Sequence, residues 1–581
     1  MTLVADPAYV LEERGRAALV AAFGLDEADA DPVVRRSPPD RDADYQANAA
    51  LALSKKLKMK PRDVADRFVA ALEVDDLCDV VEIAGPGFVN FRLRAEALGR
   101  LLEDDERLGI KKHPEQTIVI DYSHPNVAKE MHVGHLRSTI IGDALVRIHE
   151  FLGHKLVRHN HIGDWGTPFG MLIEHLLDVG ESETAEELSV GDLDAFYKAA
   201  NVKFKEDATF ADRARQRVVT LQAGDPETLR LWKLLVDESS RYFQSVYDRL
   251  GVTLTQGDLV GESFYNSCLD DVAETLEKEG LARVDDGALC VFPEGFTGRE
   301  GNPLPLIIRK RDGGYGYQAT DLAAVRYRVR DVAADRLFYV VDAGQGQHHL
   351  PMVFAVAESA GWVGPGQVEL IKFGLVLGPD GQRLRSRAGE SVKLAALLDE
   401  AVERAAAVVS EKSSDLSDEE AAAVARAVGI GAVKYADLSN DRVKDYVFDW
   451  DRMLAMDGNT GPYMQYAIAR IRSIFRRAET DGGATLEGPV VVTEPAEREL
   501  ALALLSFEEA VVATAEHLQP HRLCTYLFGL ASTFTSFYEH CPVLRANSEE
   551  QRASRLRLCD LTARTLELGL SLLGIESPQR M

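Results

Sequence analysis

Residues Thr117 to Asp143, TIVIDYSHPNVAKEMHVGHLRSTIIGD, constrain the fold of this chain more than any other stretch. Thr117 to Ile120 is a short apolar run that fits a buried parallel strand. The run breaks at Ser123 to Pro125, and apolar spacing then turns helical through Leu136, Ile140, Ile141, Leu145 and Ile148. Strand, loop and helix in that order open an α/β sheet, whose ligands sit in the crevice beyond the strands' carboxyl ends. Amides at the helix start would offer donors to phosphate there. Lys129, His132, Gly134 and His135 fall in that crevice.

These residue types suit nucleotide chemistry. A glycine lets a flat base lie against the backbone, and two imidazoles with an ammonium supply donors to a phosphate in transfer. His132 and His135 are three apart, so in a helical first turn they point the same way. An HxxH pair on a helix is otherwise half a zinc site or two surface histidines. With Ser123, Pro125, Asn126 and Lys129 ahead of the pair, SHPNVAKEMHVGH resembles the HIGH-motif region of class I aminoacyl-tRNA synthetases, in the form found in arginyl-tRNA synthetases.

Composition sets the frame for that resemblance. A length of 581 residues suggests about three to five domains. The formal charge of −27 argues against a general nucleic-acid coat protein, yet leaves room for RNA held by local basic surfaces. Cys78, Cys268, Cys290, Cys524, Cys541 and Cys559 form no CxxC pair, so reduced cytoplasmic thiols are the simplest reading. There is no N-terminal basic-plus-apolar segment and no apolar run of about 18 residues, so a cytoplasmic protein is expected rather than an exported or membrane one.

Residues 1–112 read as a separate module. Gln46 to Leu57 is helical in pattern, Pro61 opens a helix to about Leu72, and Val80 to Ile83 and Phe88 to Arg92 read as strands joined by Gly85, Pro86 and Gly87. Lys55, Lys56, Lys58, Lys60 and Arg62 make its most basic run, which by itself is a solvated face. The resemblance implies a domain that touches the tRNA elbow. It puts Phe88 and Asn90 in place to stack on and bond an unpaired base, with plain strand packing as the other reading of Phe88.

Further on, Leu156 to Ile162 reads as a strand and GDWGTPFGMLIEHLL as a glycine-punctuated loop entering a helix; its Asp164 to Gly166 also resembles the family. Residues from about 181 to 260 are polar and helical, an insertion without chemical clues. Tyr317 and Asp321 share one face if Gln318 begins a helix, and a carboxylate beside a phenol would suit a guanidinium's planar fork of donors. A helix cap with a surface aromatic accounts for the same spacing. The resemblance places Tyr317, Asp321 and Gln345 in an arginine pocket, with Ser123 and Asn126 near the α-amino group and Glu262 a further pocket candidate. Leu337 to Val341 reads as the strand that brings Gln345 to the sheet end.

Val368 to Phe373 supplies one more strand, followed by GLVLGPDGQRLRSRAGESVKL. Arg383, Arg385, Ser386 and Arg387 occupy the slot of the family's KMSKS loop, whose two lysines are absent. The resemblance implies that Lys129 takes over the missing charge, with the arginines neutralising pyrophosphate as planar forks rather than point charges. From about Lys393 strands are expected to vanish, leaving an all-α bundle broken at Asp415 to Ser417 and near Gly482 to Gly488. VFDWDRMLAMDGNTGPYMQYAIARIRSIFRR within it resembles the start of the family's anticodon-binding domain. Tyr463 and Tyr466 are candidate base-stackers, with Arg470 and the nearby Arg472, Arg476 and Arg477 as phosphate partners; an amphipathic core stripe explains Tyr466 equally.

The chain therefore reads as a class I Rossmann-type α/β catalytic domain over 113–390, a small N-terminal α+β domain over 1–112 and a helical anticodon-binding domain over 391–581. The resemblance implies ligation of L-arginine to tRNA-Arg through an adenylate. ATP would arrive with Mg²⁺ as substrate, no protein metal cage is expected, and the protein would be monomeric. A paralogue serving a side pathway and a non-catalytic tRNA-binding protein are the alternatives.

Overall fold

The computed structural model describes residues 6–37, 41–102, 106–180, 193–298, 301–344, 348–385, 391–412, 416–480, 483, 486 and 488–581. Its strands are β1 (Val34–Arg36), β2 (Tyr45–Ala47), β3 (Cys78–Ala84), β4 (Phe88–Leu93), β5 (Thr117–Asp121), β6 (Lys155–His159), β7 (Ala282–Asp285), β8 (Ala288–Val291), β9 (Leu306–Arg309), β10 (Arg336–Asp342), β11 (Val368–Phe373), β12 (Val376–Leu377) and β13 (Tyr446–Val447).

The N-terminal module is an antiparallel sheet in the order β1-β2-β4-β3 beside the helices Pro7–Phe23, Ala49–Leu57, Pro61–Ala70 and Ala95–Leu101. The helix expected from Gln46 starts later, because Tyr45 to Ala47 pairs with β4 as a strand. Along β4 exposure alternates: Val89, Phe91 and Leu93 enter the core while Phe88, Asn90 and Arg92 face outward.

The central sheet is parallel throughout, in the order β11-β10-β5-β6. Ile118, Val119 and Ile120 of β5 are buried, as a strand covered on both faces requires. Helix Val133–Phe151 carries the chain from β5 to β6, and helix His349–Ser359 carries it from β10 to β11 on the other side. The connections thus diverge between β5 and β10, which opens a crevice at their carboxyl ends. Helix Val133–Phe151 is buried on nearly every side, not along a single stripe, and Gly142 admits Tyr122, whose ring lies 2.3 Å from where a Cβ would stand.

Two elements depart from the sequence-based expectation. A three-stranded antiparallel sheet, β7-β8-β9, follows the helical insertion; its strands are four residues each, too short for a periodic signal. Strand structure also reappears after Lys393: β13 pairs in parallel with β12 and ties the helical region to the sheet domain.

The helices Leu394–Lys412, Asp418–Leu438, Gly461–Thr480, Pro495–Leu505, Phe507–His517, His521–His540 and Glu549–Leu572 form the rest. Three polar anchors fasten this bundle. Arg137 and Asp437, both buried, pair at 3.0 Å. Lys434, fully buried, donates to the carbonyls of Leu250 at 2.8 Å and Gly574 at 2.5 Å. Arg498 grips Asp44 of the N-terminal module at 2.5 Å and donates to the Leu93 carbonyl. Among the described residues no helix is long and apolar enough to cross a membrane.

Candidate active site

A cavity of about 390 Å³ occupies the crevice, walled by Asp121 at the end of β5, Tyr339 to Asp342 of β10 and Phe373 of β11. His132, Gly134 and His135 form one side and Asp321 lies toward the opposite end. The two histidines are arranged differently from a pair in one helical turn. His132 is the N-cap residue with extended backbone (φ −120°, ψ 171°), and its ring folds back over the helix start. His132 Nδ1 accepts the Gly134 amide at 3.0 Å, and His135 Nδ1 accepts the His132 amide at 3.0 Å. The ring centroids are 4.0 Å apart.

This reciprocal cap fixes the tautomers. With both Nδ1 atoms accepting, each neutral ring carries its proton on Nε2 and has one N–H left to donate. Burial, then the charges of Arg383 and Lys129, lower the pKa of His132; burial and the neighbouring His132 push His135 down to about 3. Both are neutral donors across the physiological range.

The backbone amides expected to meet phosphate are already engaged. Val133 N–H donates to Val392 O at 3.0 Å, Gly134 N–H to the His132 ring and His135 N–H to His132 O at 2.8 Å. The segment after the arginine-rich loop takes the first of them, where Lys393 bridges antiparallel to His132, and His132 itself takes the other two. Gly134 also serves the cap: a Cβ there would stand 2.8 Å from His132 Cε1. Gly134→Ala is expected to slow ATP–pyrophosphate exchange about tenfold or more by displacing that ring, while thermal melting shifts by only about 1 kcal/mol, the usual worth of a cap. Unchanged exchange would refute the role given to the cap.

Between β5 and this helix the chain is strained. Ser123 (φ 81°), His124 (φ 54°) and Ala128 (φ 57°) lie in the left-handed region, at about 1–3 kcal/mol each. Hydrogen bonds from distant elements hold them: Ser123 N–H to Ser138 Oγ at 2.9 Å, Ser123 Oγ with Tyr247 OH at 2.8 Å, and Ala128 N–H to Ser239 Oγ at 2.9 Å. Ser123 thus lines the cavity with its hydroxyl inside this network, whereas Asn126 is exposed on the rim. Beneath the loop Asp121 pairs with the buried Arg328 at 2.7 Å, and Arg328 donates to His159 Nδ1 at 3.0 Å. Burial alone would raise the Asp121 carboxyl, but Arg328 and His124 hold it well below its usual range.

Asp321 shares a neighbour, His349, with Tyr317 one helical turn earlier. Its Oδ2 is 2.5 Å from His349 Nε2, and Tyr317, 57% exposed, packs its ring edge-to-face on His349 at 4.7 Å. His161 Nε2 lies 3.8 Å from the other oxygen. Sequence reading missed His349, although its doublet with His348 follows directly on the Gln345 segment. Glu262 adds a second acid: burial, then the carboxylates of Asp321 and Asp164, push it up to about 8. Gln345 lies outside the described residues.

Of the loop arginines, Arg383 lines the cavity 3.9 Å from Asp342, and Arg385 bridges Ser391 at the loop's base. Ser386 and Arg387 lie outside the described residues. Lys129 is not in the cavity wall. Its ammonium stands 4.3 Å from the Tyr197 ring centroid, in a second depression of about 300 Å³ that shares Asn126, His132, His135 and Ser391 with the first.

The surfaces singled out for RNA are distant from this site. Asn90 accepts from Gln46 at 2.7 Å, and Arg41 lies over the Phe88 ring at 5.7 Å. On helix Gly461–Thr480, Tyr466 is 44% exposed, Tyr463 packs against Phe528 at 6.1 Å, and Arg470 lies over the Tyr538 ring at 4.9 Å. Arg472 is engaged by Glu567 and Asp560. Met464, Ile468 and Ile471 take the core side, which leaves Tyr466 outside the stripe.

A parallel sheet with a capped HxGH histidine pair at its switch point defines a class I aminoacyl-tRNA synthetase catalytic domain. Residues 97–450 match the family described as tRNA synthetases class I (R), catalytic domain; residues 10–93 match the arginyl tRNA synthetase N terminal domain, and 464–581 the DALR anticodon binding domain. The arginine–tRNA ligase of Thermobifida fusca is 58% identical over 581 residues, covering 100% of both chains, and that of Escherichia coli K12 is 50% identical over 578 residues, covering 98% of this chain and 99% of its own. The solved arginyl-tRNA synthetase of Thermus thermophilus superposes with a TM-score of 0.82 at 28% identity, over 99% of this chain and 100% of the other. The chain belongs to the arginyl-tRNA synthetase family of class I, with arginine–tRNA ligase activity.

Proposed function

We propose that the chain activates L-arginine with Mg-ATP and then esterifies tRNA-Arg, and that the cavity between β5 and β10 is where activation occurs. The arginine carboxylate attacks the α-phosphate, and the Nε2–H groups of His132 and His135 donate to oxygens on which charge builds. Gly134 and the cap behind it fix those donors. Mg²⁺ enters with the triphosphate, which Arg383, Arg385, Ser386, Arg387 and Lys129 help to neutralise. The guanidinium lies between Asp321 and Glu262, displacing His349, with Tyr317 and Gln345 closing the pocket and Ser123 and Asn126 near the α-amino group. Phe88 and Asn90 meet the tRNA elbow, and Tyr463, Tyr466 and Arg470 the anticodon loop. The protein works as a cytoplasmic monomer.

The observation that carries this reading is a single cavity lined by two neutral Nε2–H donors and by Asp321, whose charge Glu262 also feels. Labelled arginine, ATP, Mg²⁺ and bulk tRNA should give acid-stable charging, with ATP–pyrophosphate exchange that depends on tRNA as the family resemblance implies. Absence of both charging and exchange would overturn it.

A pH dependence follows from Glu262. At neutral pH its carboxyl, pushed up to about 8, holds a proton in the empty pocket, and a guanidinium favours the ionised form. Arginine binding therefore releases a proton, so the KM for arginine should fall as pH rises from 6.5 to 8, by up to about tenfold per unit. Glu262→Gln should flatten the profile. A rising KM over that range would show the sign to be wrong.

A further inference from the structure

The second depression beside the histidine pair holds more cationic charge than Lys129. Three separate elements each deliver one lysine: Lys129 from the strained loop after β5, Lys198 from the insertion helix Leu193–Glu206, and Lys393 from the segment that bridges His132. Lys393 is set in place by Glu130, whose buried carboxylate lies 2.7 Å from its ammonium. Glu130 is held in turn through its amide, which donates to Asp194 Oδ1 at 3.1 Å. His132 and His135 belong to both hollows and form the wall between them.

A nucleotide whose base lies in the first cavity, with its α-phosphate at the two Nε2–H donors, has its outer phosphates beside the hollow that the same two histidines line. We propose that the second depression seats the leaving pyrophosphate, and that Lys198 and Lys393 supply the charge that the lysine-free loop at Arg383 to Arg387 lacks. The inference rests on the adenylation reading above. In the step itself an arginine carboxylate oxygen bonds to the α-phosphorus and the bond to the β-phosphate bridging oxygen breaks, its electron pair leaving with pyrophosphate. No proton moves, so ammonium groups that stay charged are the fitting partners.

The test is tRNA-dependent ATP–pyrophosphate exchange by the full chain, with inorganic pyrophosphate as the varied ligand, for Lys198→Met, Lys393→Met and the double variant. Lys198 is exposed, and a thermal melt of each variant checks that the fold is retained. Each single variant is expected to raise the KM for pyrophosphate about tenfold, the lower end of what a lost charge-assisted hydrogen bond costs, with the KM for arginine within about twofold of the parent. Lys393→Arg should recover part of the loss. A double variant with unchanged pyrophosphate KM, or single variants that raise the arginine KM equally, would overturn the inference while parent charging stood. A parent chain that neither charges nor exchanges would overturn the reading and the inference together.

Discussion

Lys129→Ala is expected to abolish measurable arginine adenylation, a loss on the order of a thousandfold, while melting like the parent chain. The side chain is half-buried, and its described contact is the Tyr197 ring at 4.3 Å, a cation–π pair worth about 0.5–1 kcal/mol at such a site. Stability therefore has little to lose. Chemistry has much more at stake, because Lys129 shares its depression with both histidines and, on the function proposed above, helps neutralise the triphosphate. Lys129→Arg should recover only part of the rate, since a planar fork on a longer stem does not reproduce a compact ammonium. Near-normal exchange by the alanine variant would remove Lys129 from the mechanism.

Asp321→Asn is the second large effect. Truncating one partner of a desolvated charge pair costs about 2–5 kcal/mol, so the KM for arginine should rise by about a hundredfold or more with the KM for ATP nearly unchanged. The asparagine can still bond His349 Nε2, now 2.5 Å from Asp321 Oδ2, and the helix Tyr317–Arg330 keeps its packing. A variant with weakened ATP binding and intact arginine KM would place the guanidinium elsewhere.

What the sequence disclosed and what it concealed divide along one physical line. Val368 to Phe373, Thr117 to Asp121 and the helix that follows were legible because apolar period and turn residues are local signals. His132 and His135 were placed in the crevice from one short motif, whereas Lys129 of the same motif stands in the neighbouring hollow. Arg328 was not legible: its hydrogen-bond partner His159 lies 169 residues away, and an arginine between Arg326 and Arg330 near a helix end reads as surface. His349 was hidden by the same cause, and so was Lys393, which looked like the trailing edge of a degenerate loop. The amides at the helix start were expected to meet phosphate, but the carbonyl of Val392, from much later in the chain, takes one of them. Tyr317 and Asp321 both turn to His349, a partner that their spacing could not name. Periodicity says which side a residue is on, not who stands opposite.

The anchors at Arg137 and Lys434 bear on whether this protein can be divided. Arg137 belongs to the helix that presents the histidines, and its counter-charge Asp437 comes from 300 residues later. Lys434 caps at once helix Pro226–Leu250, through the Leu250 carbonyl, and the chain just after the last helix, through Gly574. A cut ahead of Leu394 would strand a guanidinium in the middle of the catalytic helix and strip the closing cation from Leu250. Despite three family matches laid end to end, the chain is not a string of interchangeable modules. Its active centre borrows its footing from helix Asp418–Leu438, which lies inside the catalytic-domain match, and a minimal enzyme ending with the sheet domain would have to rebuild that footing.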